Sequence, residues 1–135
     1  MINRSIFTTN IEQEVLENTD YRRVVNTFNH AQLVYMSLEP GVEIGNEIHG
    51  IDQFIRIERG NAKASVNNDE QEYELANGSV IMVPAGTWHN IINTGDEPVK
   101  LYTIYSGPQH LHSTVQPTKA DEEEDHFNGI TDLDD

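Results

Sequence analysis

Four residues in this chain combine metal-ligating chemistry with close spacing. Glu47, His49 and Gln53 lie in the stretch 41–60, GVEIGNEIHGIDQFIRIERG, and His89 lies in the stretch 78–93, GSVIMVPAGTWHNIIN. Two imidazoles, one carboxylate and one amide oxygen suit a borderline divalent ion such as Zn, Fe, Mn, Ni or Co. Only Glu47 carries charge, so the ligands sum to −1 and a divalent ion would leave the centre at +1. A centre of that charge can hold an anionic oxygen ligand. Two histidines and a carboxylate also echo the non-haem iron triad, although Gln53 as a fourth ligand would leave fewer open positions. The same residues have a metal-free arrangement, in which Gln53 bridges Glu47 and a histidine through hydrogen bonds.

The elements around these residues read as strands. RRVVNTF and AQLVYMSLE are rich in β-branched and aromatic residues, and Pro40-Gly41 ends the second run. VEIGNEIH alternates, so period two puts Glu47 and His49 on one face of one strand. QFIRIER also alternates, and Gln53 opens its inner face, followed by Ile55 and Ile57. AKASV and QEYEL flank an Asn67-Asn68-Asp69 hairpin turn, Asn77-Gly78 leads into SVIMV, and WHNIIN and VKLYTIY follow. Pro84 and Gly86 suit positions i+1 and i+3 of a type I turn. Before these strands, Asn10 caps a short helical turn over 11–16. Eight or so short strands at regular spacing predict an antiparallel sandwich or barrel.

The bulk properties narrow the setting. There is no cysteine, which excludes disulfides and thiolate metal sites and fits a reducing compartment. The N-terminus has no signal-peptide h-region and no stretch approaches a membrane span, so a soluble cytoplasmic protein is expected. The formal charge is −15, and residues 121–135 carry eight of the acids with no Lys or Arg. Such a field repels phosphate backbones and anionic lipid, which argues against nucleic acid and membranes as partners. The acidic run itself reads as a solvated, flexible tail.

At motif level the chain resembles the cupins, small jelly-roll β-barrels whose first motif is G-x5-H-x-H-x3,4-E-x6-G. Gly41, Glu47, His49, Gln53 and Gly60 occupy its positions, with Glu in place of the first His and Gln in place of Glu. Gly78, Pro84, Gly86, His89 and Asn93 match the second motif, G-x5-P-x-G-x2-H-x3-N, without a gap. The wider wording is similar to a subgroup of small cupins with Glu, His, Gln and His in the four places. That subgroup commonly has a Pro-Pro-x-His arm after the last strand, where this chain has Gly107 for the first Pro, then His110 and His112.

The resemblance implies an all-β, double-stranded β-helix (jelly-roll) barrel over 21–110. A short N-terminal arm covers 1–20, and a C-terminal arm with the acidic tail covers 111–135. It implies a divalent transition metal (Zn, Mn, Fe or Ni) on Glu47, His49, Gln53 and His89, a small-molecule ligand, and a homodimer. Catalysis is left open between isomerase-like or dioxygenase-like metal chemistry on a compact anionic or oxygen-rich molecule and non-catalytic ligand binding or regulation; no catalytic residue is singled out. Tyr35, Met36, Tyr102 and Ile104 are candidate pocket linings, and Arg23 and Gln32 candidate contacts at the barrel mouth. Trp88 is expected to pack on the opposite face from His89. The arm with His110 and His112 is expected as a lid or a surface loop, and His30 and His126 as solvated.

Overall fold

The computed structural model describes residues 5–124. Asn10 caps α1 (Ile11–Glu17) with its side chain accepting from the Gln13 N–H at 3.1 Å. The strands follow as β1 (Arg22–Thr27), β2 (Gln32–Leu38), β3 (Gln53–Arg59), β4 (Ala62–Val66) and β5 (Gln71–Leu75). Then come β6 (Val80–Val83), β7 (His89–Asn93), β8 (Val99–Tyr105) and a short β9 (Val115–Gln116), before a 3₁₀ helix at Lys119–Glu124. The acidic run beyond 124, with His126, lies outside the described residues.

Every strand pairing is antiparallel. One sheet has the order β6-β3-β8-β2-β1-β9 and the other the order β5-β4-β7. Their inner faces meet over Val34, Met36, Leu38, Ile55, Ile57 and Leu101 from the first sheet and Ala62, Ala64 and Ile91 from the second. This is the two-sheet jelly-roll barrel. Alternation explains the sorting: in β3 the residues Gln53, Ile55 and Ile57 are buried, while Phe54, Arg56 and Glu58 are only partly so. No helix among the described residues is long and apolar enough to cross a membrane.

Two local features depart from the sequence reading. The segment VEIGNEIH is not a continuous strand but meets β7 through two isolated bridges, Glu43 with Ile92 and Glu47 with His89. Gly45 lies between them at φ +104°, and its N–H goes to Asn90 Oδ1 at 2.8 Å rather than into a ladder. The turn after Pro84 has Ala85 and Gly86 as its central residues, and Gly86 at φ +82° takes the left-handed i+2 position of a type II turn rather than position i+3 of type I.

The chain after β8 is neither a surface loop nor wholly a tail. Gln32, fully buried, binds it with every polar atom of its amide. Its Nε2 donates to the His110 carbonyl at 2.9 Å and to Thr27 Oγ1 at 3.0 Å. Its Oε1 accepts from the Gln109 and His110 N–H groups at 2.9 and 3.1 Å. β9 then extends the larger sheet beside β1. Gly107 makes the entry to this arm at φ +145°, a conformation the proline ring forbids.

Candidate metal centre

Glu47 and His89 are cross-strand neighbours. The Glu47 N–H donates to the His89 carbonyl at 2.8 Å, and the His89 N–H returns to the Glu47 carbonyl at 2.9 Å. The Gly86 N–H donates to the His49 carbonyl at 2.8 Å, so the turn preceding His89 also holds the loop bearing His49. Through these backbone ties Glu47, His49 and His89 bring one ligand atom each to within 4.8 Å of one another, a group able to hold a metal ion. The imidazoles of His49 and His89 stand with centroids 5.3 Å apart.

The polarity of each donor is set from behind. His89 Nδ1 lies 2.9 Å from the Thr87 carbonyl, which can only accept, so Nδ1 carries the proton and Nε2 keeps its lone pair. Burial lowers the His89 pKa, the Thr87 bond only partly opposing it, and holds the ring neutral. Gln53 Nε2 donates to Thr103 Oγ1 at 2.9 Å, which leaves Oε1 as its unused acceptor. His49 Nε2, His89 Nε2 and Gln53 Oε1 are all buried without a hydrogen-bond partner among the described residues. Buried polar atoms left this way are costly. The residues fit a cation: three donor atoms lack any other use, and a carboxylate stands beside them.

The charges around Glu47 suit the same role. Burial alone would raise its pKa, but the His49 imidazole and the Arg22 guanidinium, with a smaller effect from His110, outweigh it and hold the carboxyl below its ordinary value. Glu47 Oε1 is 3.6 Å from His49 Nε2 and Oε2 is 3.9 Å from Arg22, so both contacts are electrostatic rather than hydrogen bonds. Tyr105 is fully buried, edge-on to both His49 and His110, and burial pushes its phenol well above its usual range.

Several candidates take other places. Tyr35 donates to Glu14 of α1 at 2.6 Å, on the outer side of the sheet, and Tyr102 and Ile104 share that face. Met36 belongs to the core. Arg23 points outward to Asp20, and Gln32 is consumed by the C-terminal arm. Trp88 is 40% exposed, next in register to the exposed Ile48. His30 is exposed. His110 is buried, with Nε2 3.4 Å from the Tyr105 hydroxyl, and His112 Nδ1 meets Thr27 Oγ1 at 3.1 Å. Arg22, which sequence reasoning passed over for its neighbour Arg23, is buried beside Glu47. Its signal was the period-two pattern of β1, with Arg22 and Val24 inside and Arg23 outside.

Comparison with known proteins agrees with this fold. The cupin domain family profile matches residues 34–105. The chain is 46% identical over 120 residues to the uncharacterized protein YrkC of Bacillus subtilis, covering 85% of this chain and 64% of that protein. It is 47% identical over 108 residues to the uncharacterized protein L612 of Acanthamoeba polyphaga mimivirus, covering 78% of this chain and 68% of that one. The chain thus spans about two thirds of the length of these relatives. The crystal structure of BH2720 from Bacillus halodurans superposes with a TM-score of 0.84 at 43% identity, over 87% of this chain and 92% of that one. With both motifs in place, two antiparallel sheets forming the barrel and a matching family profile, this chain belongs to the cupin superfamily.

Proposed function

We propose that this cupin is a metalloprotein whose ion is held by Glu47, His49 and His89, with Gln53 as the fourth ligand, and whose ligand or substrate is a compact anionic or oxygen-rich molecule. The observation that carries the reading is the set of buried, unbonded atoms His49 Nε2, His89 Nε2 and Gln53 Oε1. A neutral barrel network with Gln53 bridging Glu47 and a histidine would have used those atoms; Gln53 instead binds Thr103. The ion would supply Lewis-acid polarisation of a carbonyl or carboxylate. Around it the chain holds His89 in one tautomer through Thr87, orients Gln53 through Thr103 and keeps Glu47 ionised. The test is elemental analysis of protein purified without added metal, beside a Glu47→Ala/His49→Ala variant. Stoichiometric transition metal in the parent and none in the variant supports the reading. Absence from both after reloading sinks it.

The assembly we propose is a homodimer in the cytoplasm. Its support is the outer face of the larger sheet, where Met82, Phe54, Ile104 and Leu33 stand in one cross-strand row that begins at β6, the strand at that end of the sheet among the described residues. Met82 is 69% exposed there. A second copy would cover both the apolar row and the open edge. Nucleic acid is a poor partner for a chain of charge −15.

A further inference from the structure

Gln53, Tyr105 and Gln32 stand in one row across three adjacent strands. Tyr105 of β8 pairs with Gln53 of β3 on one side and with Gln32 of β2 on the other. All three side chains are buried, on the inner face of the sheet. Gln53 opens the row at the candidate metal centre. Gln32 closes it by holding the His110 N–H and carbonyl of the C-terminal arm. Tyr105, between them, touches both sides. Its ring stands edge-on to His49 at 5.3 Å and to His110 at 5.5 Å, with its hydroxyl 3.4 Å from His110 Nε2.

His49 is the ligand for which this contact matters. His89 lies in β7 with Nδ1 on the Thr87 carbonyl, and Gln53 lies in β3 with Nε2 on Thr103. His49 lies two residues past the isolated Glu47 bridge, outside any strand, so no ladder fixes its direction. Its ring packs against those of His89 and Tyr105. The arm also starts against the segment that follows His49. The Ser106 N–H donates to the Asp52 carbonyl at 3.0 Å, and a Cβ on Gly107 would lie 3.9 Å from Ile51 Cγ2. Farther along the arm, Gln116 accepts from Arg22, which stands 3.9 Å from Glu47. The arm thus reaches both His49 and Glu47, each through one buried side chain.

We propose that Tyr105, backed by His110, is a positioning residue for His49, so that docking of the C-terminal arm and loading of the metal centre are one coupled equilibrium. This rests on the metal-centre reading above and names the regulation of that site. The arm-docked chain is the metal-competent state. With the arm away, Tyr105 loses its backing and His49 its fixed direction, and apparent affinity falls with the docked fraction. Such coupling is reciprocal: metal holds the arm down as strongly as the arm tightens metal.

The experiment uses the full chain and zinc. Competition against a chelator should show Gln32→Leu and Tyr105→Leu weakening zinc by roughly 5- to 100-fold, with Tyr105→Phe, which keeps the ring, close to the parent. A variant that is merely less stable but still folded keeps its zinc affinity, so this readout separates positioning from general support. Hydrogen exchange in the unmutated parent gives the reverse direction, and zinc should slow the Gln109 and His110 amides. Parent-like zinc affinity in folded Gln32→Leu and Tyr105→Leu overturns the proposal. If both misfold, the parent decides alone: unchanged exchange of those amides at saturating zinc overturns it equally. A parent that takes up no zinc counts against the metal centre itself. The His49 ring resonances of the metal-free protein then test the positioning role. They should move in Gln32→Leu, a change at the far end of the row, or in His110→Leu should that variant misfold. Unmoved His49 resonances overturn it.

Discussion

His89 is held from two sides, by the Thr87 carbonyl at Nδ1 and by the backbone exchange with Glu47. The folded state therefore holds a neutral imidazole with a lowered pKa. Below the ordinary value of 6.5 the unfolded chain takes up a proton that the folded one resists, so stability must fall as pH drops. Glu47 acts in the same direction in a lower window. Its carboxyl is depressed, so its contribution is complete above its ordinary 4.5 and is lost as pH falls through the folded-state value. Urea midpoints of the metal-free protein should decline from pH 7 toward pH 4, and His89→Gln should flatten the upper part of that decline. An unchanged profile in the variant would locate the acid sensitivity elsewhere. Gln53→Glu tests the fourth position: a second carboxylate near Glu47 should destabilise the metal-free protein and widen the gap in melting temperature between metal-free and zinc-loaded forms. Thermal melts of both forms read this directly. His49 and His89 are legible in the sequence as motif residues, whereas the free direction of Gln53 Oε1 depends on Thr103, fifty positions away.

At the scale of elements, the arm after β8 is where the sequence said least. Its polar, non-alternating composition fits a loop, yet Gln32 satisfies three backbone groups of it and β9 completes the sheet. Gln32→Leu would leave the Gln109 and His110 N–H groups and the His110 carbonyl without that partner. The expected loss is about 2–4 kcal/mol in urea unfolding, with proteolysis advancing first in the arm. A loss below about 0.5 kcal/mol would mean that the arm is held by other contacts. Gly60 marks a second fixed joint. At φ +105°, a Cβ there would lie 3.1 Å from the Pro98 carbonyl oxygen and from Val99, so Gly60→Ala is expected to destabilise the β3–β4 corner. Far-UV circular dichroism during denaturation measures it. The bridged segment carrying Glu47 and His49 belongs at this scale too: alternation predicted its facing correctly, although Gly45 breaks the strand that alternation implies.

For the whole molecule, the proposed centre and the proposed dimer make separate demands. Metal that binds only the folded chain should stabilise it by mass action, about 2.7 kcal/mol when free metal is a hundredfold above its dissociation constant. Melting temperature should therefore rise with added zinc and cease to do so in Glu47→Ala/His49→Ala. Met82→Lys places a charge in the apolar row without touching the core. It should shift sedimentation toward monomer while leaving monomer stability within about 0.5 kcal/mol. A dimer unaffected by it would move the interface elsewhere.

The sequence by itself determined the cupin motifs, the period-two strands and their turns, because spacing and alternation are local properties written in consecutive residues. It also pointed to Glu47, His49, Gln53 and His89 as one candidate set, through motif order rather than distance. Only the tertiary structure decided that Arg22 lies inside beside Glu47, that Gln32 serves the arm, and that Tyr35 faces α1. Each of those outcomes turns on which distant strand lies alongside, and strand order is a property of the closed barrel that no single stretch of residues contains.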